Sequence, residues 1–125
     1  MMLVGEVGAF SFDATDVAGA SPAVHMRLAG DANMNAVERL GHAFTDVHER
    51  ALRSRSSEVV VDLRQLEFMN SACFKKVVTW ITRVEEIDAD SRYRIRFLSN
   101  PKIHWQRRSL HALQMFAMEL VSIDA

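Results

Sequence analysis

The residues best placed for chemistry lie together at Asn70-Ser71-Ala72-Cys73. Ser71 carries a hydroxyl, Cys73 a thiol, and asparagine is a strong helix-capping type. Ahead of them, Val59-Val60-Val61 is a β-branched run expected of a strand buried on both faces. Behind them, Phe74, Val77, Val78, Ile81 and Val84 recur at helical spacing. The pattern predicts that Asn70 caps a helix and Ser71 opens it, at the C-terminal end of a strand. In open α/β sheets that edge is where sites are built. A helix N-terminus has unpaired N–H groups and the positive end of the helix dipole, so it favours an anion. A phosphate on Ser71 would add about 1.5 to 2 negative charges there and need not break the helix. A partner docked on that spot through an apolar or acidic patch would be expelled.

Other chemistries fit less well. Cys73 falls in the first helical turn, where a thiol pKa can be lowered. A nucleophile also needs a base, and no histidine is placed beside it, so Cys73 reads as packing. Ser71 lacks a nucleophile elbow, because Met69 and Cys73 stand where G-x-S-x-G needs glycines. The histidines are His25, His42, His48, His104 and His111. His104 and His111 are close to one face of a helix, but no H-x-x-x-H pair or acidic partner completes a metal site. No metal, no cofactor and no enzymatic activity are expected. Arg92, Arg94 and Arg96, with Arg107 and Arg108, read either as a basic patch for an acidic surface or phosphate, or as a solvated face balanced by Glu85, Glu86, Asp88 and Asp90. Trp80 lies off the main apolar stripe of its helix. Exposed beside Lys76 and Arg83 it would anchor an interface; otherwise it packs on a neighbouring helix.

These residues need a scaffold. Val4 to Phe12 reads as a first strand, Asp13 to Pro22 as a small polar loop, and Ala23 to Leu28 as a second strand. Gly30-Asp31-Ala32-Asn33 is a turn offering an N-cap. Val37, Leu40, Phe44, Val47 and Ala51 then mark one face of a helix that closes at Ser54 to Ser57. After the Ser71 helix, Asp88 to Ser91 is a polar turn. Arg92 to Leu98 alternates as a half-exposed strand, expected toward a sheet edge, where a second copy of the chain could cover it. Asn100-Pro101 predicts a helix start, with the helix running to about Met118. Val121 and Ile123 suggest a short last strand. The order β-β-α-β-α-β-α-β implies an α/β fold: a mostly parallel central sheet of about five strands with helices packed on it.

At 125 residues the chain is expected to be one domain, 1–125, with one real core. Hydrophobic content of 49% and charged content of 25% match a soluble globular protein rather than a disordered one. A net charge of -1 argues against bulk binding to nucleic acid or an anionic membrane. The single cysteine excludes an internal disulfide. Met1-Met2-Leu3-Val4-Gly5-Glu6 lacks a basic n-region, and no apolar run reaches the ~18 residues of a membrane span, so a cytoplasmic location without membrane insertion is expected.

The stretch Val60-Val61-Asp62-Leu63-Arg64-Gln65-Leu66-Glu67-Phe68-Met69-Asn70-Ser71 resembles the STAS domain family, named for sulfate transporters and anti-sigma factor antagonists. In that family a strand of the form "vvlDls…v.fmDSSG" leads into a helix. Leu28-Ala29-Gly30-Asp31 is similar to the family's "l.Gel" turn, and the element order extends the resemblance over roughly Ala23 to Ile123. The chain departs from the pattern where Asn70 replaces the aspartate and Ala72-Cys73 replace the second serine and the glycine. The resemblance implies a bacterial regulatory module that is not an enzyme, with Ser71 at the phosphorylated position. Its partner would be an anti-sigma factor that is also a serine kinase, with a serine phosphatase restoring the unmodified form. The resemblance and sheet geometry together place the partner surface on Asn70, Ser71, Lys75, Lys76, Thr79 and Trp80, with Asp31 and Asn33 from the neighbouring turn. The departures favour an alternative: a STAS-like scaffold or accessory subunit of a sensory or transport complex, without phosphorylation.

Overall fold

The computed structural model describes residues 2–125; Met1, part of the N-terminal segment considered above, lies outside them. Six strands form one sheet in the order β1-β2-β3-β4-β5-β6. They are β1 (Met2–Val7), β2 (Phe10–Val17), β3 (Ala23–Ala32), β4 (Glu58–Met69), β5 (Arg94–Leu98) and β6 (Val121–Asp124). The first two junctions are antiparallel and the remaining three parallel. Helices α1 (Val37–Arg53), α2 (Ser71–Glu86) and α3 (His104–Phe116) make the parallel crossovers. All three crossovers step the same way along the sheet, and their shared right-handedness puts the helices on one face.

Alternation along the strands separates that face from the open one. Phe12, Met26, Val61, Ile95 and Val121 are buried under the helices. Asp13, Arg27, Asp62 and Arg96 alternate with them and face the other way. The open face carries a lattice of ion pairs: Arg27 with Asp13 at 3.3 Å, and Arg96 with both Glu58 and Asp124 at 3.1 and 3.0 Å.

The N-terminal region differs from the sequence reading. The single strand expected over Val4 to Phe12 is a hairpin, because Val7 pairs with Phe10 across a two-residue turn. Gly8 there has φ 59, the positive value that the first position of such turns demands. The segment read as a loop, Asp13 to Pro22, is strand as far as Val17. Its polar residues find partners only in three dimensions: Asp13 meets Arg27 on β3, and Asp16 meets the buried Arg50 of α1 at 2.9 Å.

Two further corrections concern the C-terminal half. Strand β5 lies between β4 and β6, so the arginine-bearing strand is not the sheet edge and has no free side for a second copy. Helix α3 begins at His104 rather than Pro101, with Ile103 as its N-cap. Asn100 instead holds a turn, accepting from the Lys102 amide at 3.0 Å.

That turn solves a hydrogen-bonding problem. Strand β5 pairs with β4 only as far as Asp62, which leaves the later carbonyls of β4 without a strand on that side. Side chains fill the gap. Gln106, fully buried, donates to the Leu63 and Leu66 carbonyls at 2.6 and 3.0 Å. Trp105 Nε1 also donates to Leu66, and Asn100 Nδ2 donates to Arg64. The brace lets β4 run on past its neighbour to Met69, where α2 begins.

Candidate functional site

The end of β4, the end of β3 and the start of α2 are tied by short backbone and side-chain bonds. The Asn70 amide donates to the Ala32 carbonyl at 2.9 Å. Asn70 Oδ1 accepts from the Cys73 amide at 2.8 Å, and its carbonyl takes the first helical bond from Phe74. This is the capping geometry expected of asparagine, and it fixes where α2 starts. The Cys73 thiol turns inward and donates to the Asn33 carbonyl at 3.4 Å. Asn33 itself caps the short turn Met34–Ala36 by accepting from the Asn35 amide. Burial pushes the Cys73 thiol above its ordinary pKa, the reverse of what an activated nucleophile requires.

Ser71 is exposed at the first position of α2. The first-turn amides of a helix have no partners within it, and no acidic side chain lies in that turn. Lys75, exposed one turn further on, stands on the same side of α2. The surroundings are apolar as well as polar. Phe68, paired with Asp31 across β3 and β4, is 47% exposed, and Met34 is 69% exposed. Two large apolar side chains left in solvent at one end of the sheet are a feature of contact surfaces. The sequence reading passed over both. Phe68 sat within the recognised stretch, and an apolar residue on a strand extending past its neighbour was the available signal.

Asp31 and Asn33 are half-buried at this end, and the Asp31 amide is held by the Ala9 carbonyl at 3.1 Å. Lys75 and Thr79 are exposed on α2, the Thr79 hydroxyl donating back to the Lys75 carbonyl. Lys76 lies half-buried across Gly41 of α1, where any β-carbon would come within 3.3 Å of its chain. Trp80 does not join this surface as an exposed anchor. It is 2% exposed and stacks on Phe44 of α1 with ring centroids 4.7 Å apart. Its indole N–H donates to the Tyr93 hydroxyl at 2.7 Å. The polar end of Trp80 thus has a partner inside the protein, which is why it can leave the apolar stripe and still be buried.

The five arginines form no single patch. Arg92 precedes β5 and binds the Ile87 and Glu85 carbonyls at the end of α2. Arg94 and Arg96 share the open face of β5, where Arg96 is held by Glu58 and Asp124, while Arg107 and Arg108 belong to α3 on the other side of the sheet. Among the described residues no cluster of three or more histidine, cysteine or acidic side chains is arranged to hold a metal ion. No described helix is long and apolar enough to cross a membrane.

No family model matches the sequence, and no curated protein matches it. Solved structures do match the fold. An anti-sigma factor antagonist from Mycobacterium paratuberculosis superposes with a TM-score of 0.58 at 14% identity, over 84% of this chain and 81% of that one. The anti-sigma factor antagonist SpoIIAA in its unphosphorylated form gives 0.57 at 15% identity, over 90% and 88%. An uncharacterised Shewanella loihica protein with a SpoIIAA-like fold gives 0.63 at 9% identity, over 96% and 90%. The chain therefore has the SpoIIAA-like, STAS-like α/β fold, as the stretch ending at Ser71 and the element order had implied. At these identities the likeness extends to the fold alone.

Proposed function

We propose that this chain is a non-enzymatic regulatory module that binds a protein partner at the end of the sheet where β3 and β4 meet α2. The observation that carries the proposal is the position of Ser71, exposed on the first turn of α2 beside the solvent-facing Phe68 and Met34. Exposed apolar and polar side chains at one end of the sheet suit a protein partner, and Lys75 and Thr79 extend that surface along α2. In the unmodified state the partner would cover Phe68 and Met34. Phosphorylation of Ser71 would bring about 1.5 to 2 negative charges into that contact and release the partner. The helix N-terminus and Lys75 stabilise such a phosphate in place, so release needs no rearrangement of the domain. A SpoIIAA structure exists in the phosphorylated form as well, on the same fold, which supports reading Ser71 as a modified residue. The partner would be a serine-kinase anti-sigma factor or a related regulator, with a phosphatase reversing the mark.

Intact-mass analysis of the protein from its native cells, with Ser71→Ala alongside, tests this. One added phosphate that vanishes in Ser71→Ala is the expected result. A protein that stays unmodified under every growth and stress condition would overturn the switch. The replacement of the family's aspartate by Asn70 favours a second reading on that outcome: a constitutive scaffold or accessory subunit whose partner is recovered equally well with Ser71→Ala and Ser71→Asp.

A further inference from the structure

The basic face of α3 has no role in the surface around Ser71. His104, Arg107, Arg108 and His111 stand at i, i+3, i+4 and i+7 of α3, so they form one stripe along the helix. All four are exposed. Neither Arg107 nor Arg108 forms an ion pair among the described residues, in contrast to Arg27, Arg64 and Arg96 on the open face. The stripe forms one wall of an open groove of about 1220 Å³ between α3 and β6, and no aspartate or glutamate lines it. Trp105 and Ile123 supply apolar surface.

The other wall is the end of the sheet. Strand β6 pairs with β5 and, among the described residues, has no strand on its far side. The Leu120 and Asp124 carbonyls accept from Ile95 and Ser99, so residues 120, 122 and 124 turn their backbone groups toward β5. Alternation then directs those of Val121 and Ile123 outward. The Val121 amide is taken by the Ala117 carbonyl, which leaves the Ile123 amide and carbonyl aimed at the groove. An unpaired edge beside a helix is a place where an extended peptide can add as a strand.

We propose that this groove binds an acidic, extended segment of a protein partner, which pairs with Ile123 and sets its carboxylates against Arg107, Arg108, His104 and His111. The complementarity is specific in sign, because a chain with net charge -1 concentrates unopposed cations on this wall. The groove lies two strands from β4, so it can be occupied while the Ser71 end is engaged or free.

The test is fluorescence anisotropy with a dye-labelled peptide of alternating glutamate and valine, against the same peptide with lysine for glutamate and a single-stranded DNA of equal charge. Saturable binding of the glutamate peptide alone is expected, weakening as salt rises. Arg107→Glu with Arg108→Glu should weaken it at least tenfold, Arg107→Gln with Arg108→Gln should weaken it by a smaller factor, and Ser71→Asp should leave it unchanged. Circular dichroism checks that each variant is folded. Equal binding of the two peptides, tighter binding of the DNA, or glutamate binding untouched by both arginine pairs would overturn the proposal. So would dimerisation of the chain at high concentration that the arginine reversals abolish, since the groove would then belong to a second copy.

Discussion

Replacing Tyr93 by phenylalanine removes one oxygen atom from the most constrained polar cluster of this protein. Tyr93 is 1% exposed, and its hydroxyl sits 2.7 Å from both Trp80 Nε1 and His48 Nδ1. An indole N–H can only donate, so the hydroxyl accepts from Trp80, and it shares a second hydrogen bond with His48 Nδ1. The Tyr93→Phe change leaves the indole N–H without a partner where Trp80 is 2% exposed. An orphaned buried donor costs about 1–3 kcal/mol. The half-buried His48 can turn to water and adds little, so the expected loss is about 2 kcal/mol. For a domain of this size that lowers the Tm by about 8 °C. Urea unfolding at pH 7.5, followed by circular dichroism, measures it. The Trp80→Phe background is the control: with the indole gone, the same change should cost about 2 kcal/mol less, leaving little loss. A loss below about 0.5 kcal/mol in the parent chain, or equal losses in both backgrounds, would refute the hydrogen-bond account of Trp80 burial.

Acid should destabilise the fold through the same cluster. Burial holds the His48 pKa below the ordinary histidine value, the Arg83 cation on α2 adds to this, and Glu49 opposes both. The unfolded chain therefore takes up the proton first, and stability falls as pH drops through and below about 6.5; His48→Gln should flatten that part of a pH–stability curve. Gly30 has φ 87, and a β-carbon there would lie 1.8 Å from the Ala9 carbonyl oxygen, so Gly30→Ala should cost about 3 kcal/mol or more in a urea melt. Gln106→Leu removes, among the described residues, the only side chain bonded to the Leu63 carbonyl and one of two on Leu66; a loss of about 2–4 kcal/mol is expected, with faster amide exchange along Leu63–Met69.

Local chemistry in the sequence determined the centre of this protein. The β-branched run at Val59, the cap at Asn70 and the apolar stripe from Phe74 to Val84 specify strand, turn and helix within one stretch of chain, and the structure has them there. The stripe of α1 and the short last strand are equally local and were legible for the same reason. Tertiary structure decided everything that depends on a distant partner. Asp13 to Val17 looks like a loop until Arg27 and Arg50 neutralise its acids and β3 pairs with its backbone. Trp80 reads either as a surface anchor or as packing on a neighbouring helix until Phe44 offers its ring and Tyr93, thirteen residues on, its hydroxyl. Nothing in the residues around Gln106 marks its role, which exists because the shortness of β5 leaves carbonyls that need it. Helical and strand periodicity report which face of an element is apolar. Which polar residue satisfies which buried group is a property of the assembled sheet, and no run of neighbours encodes it.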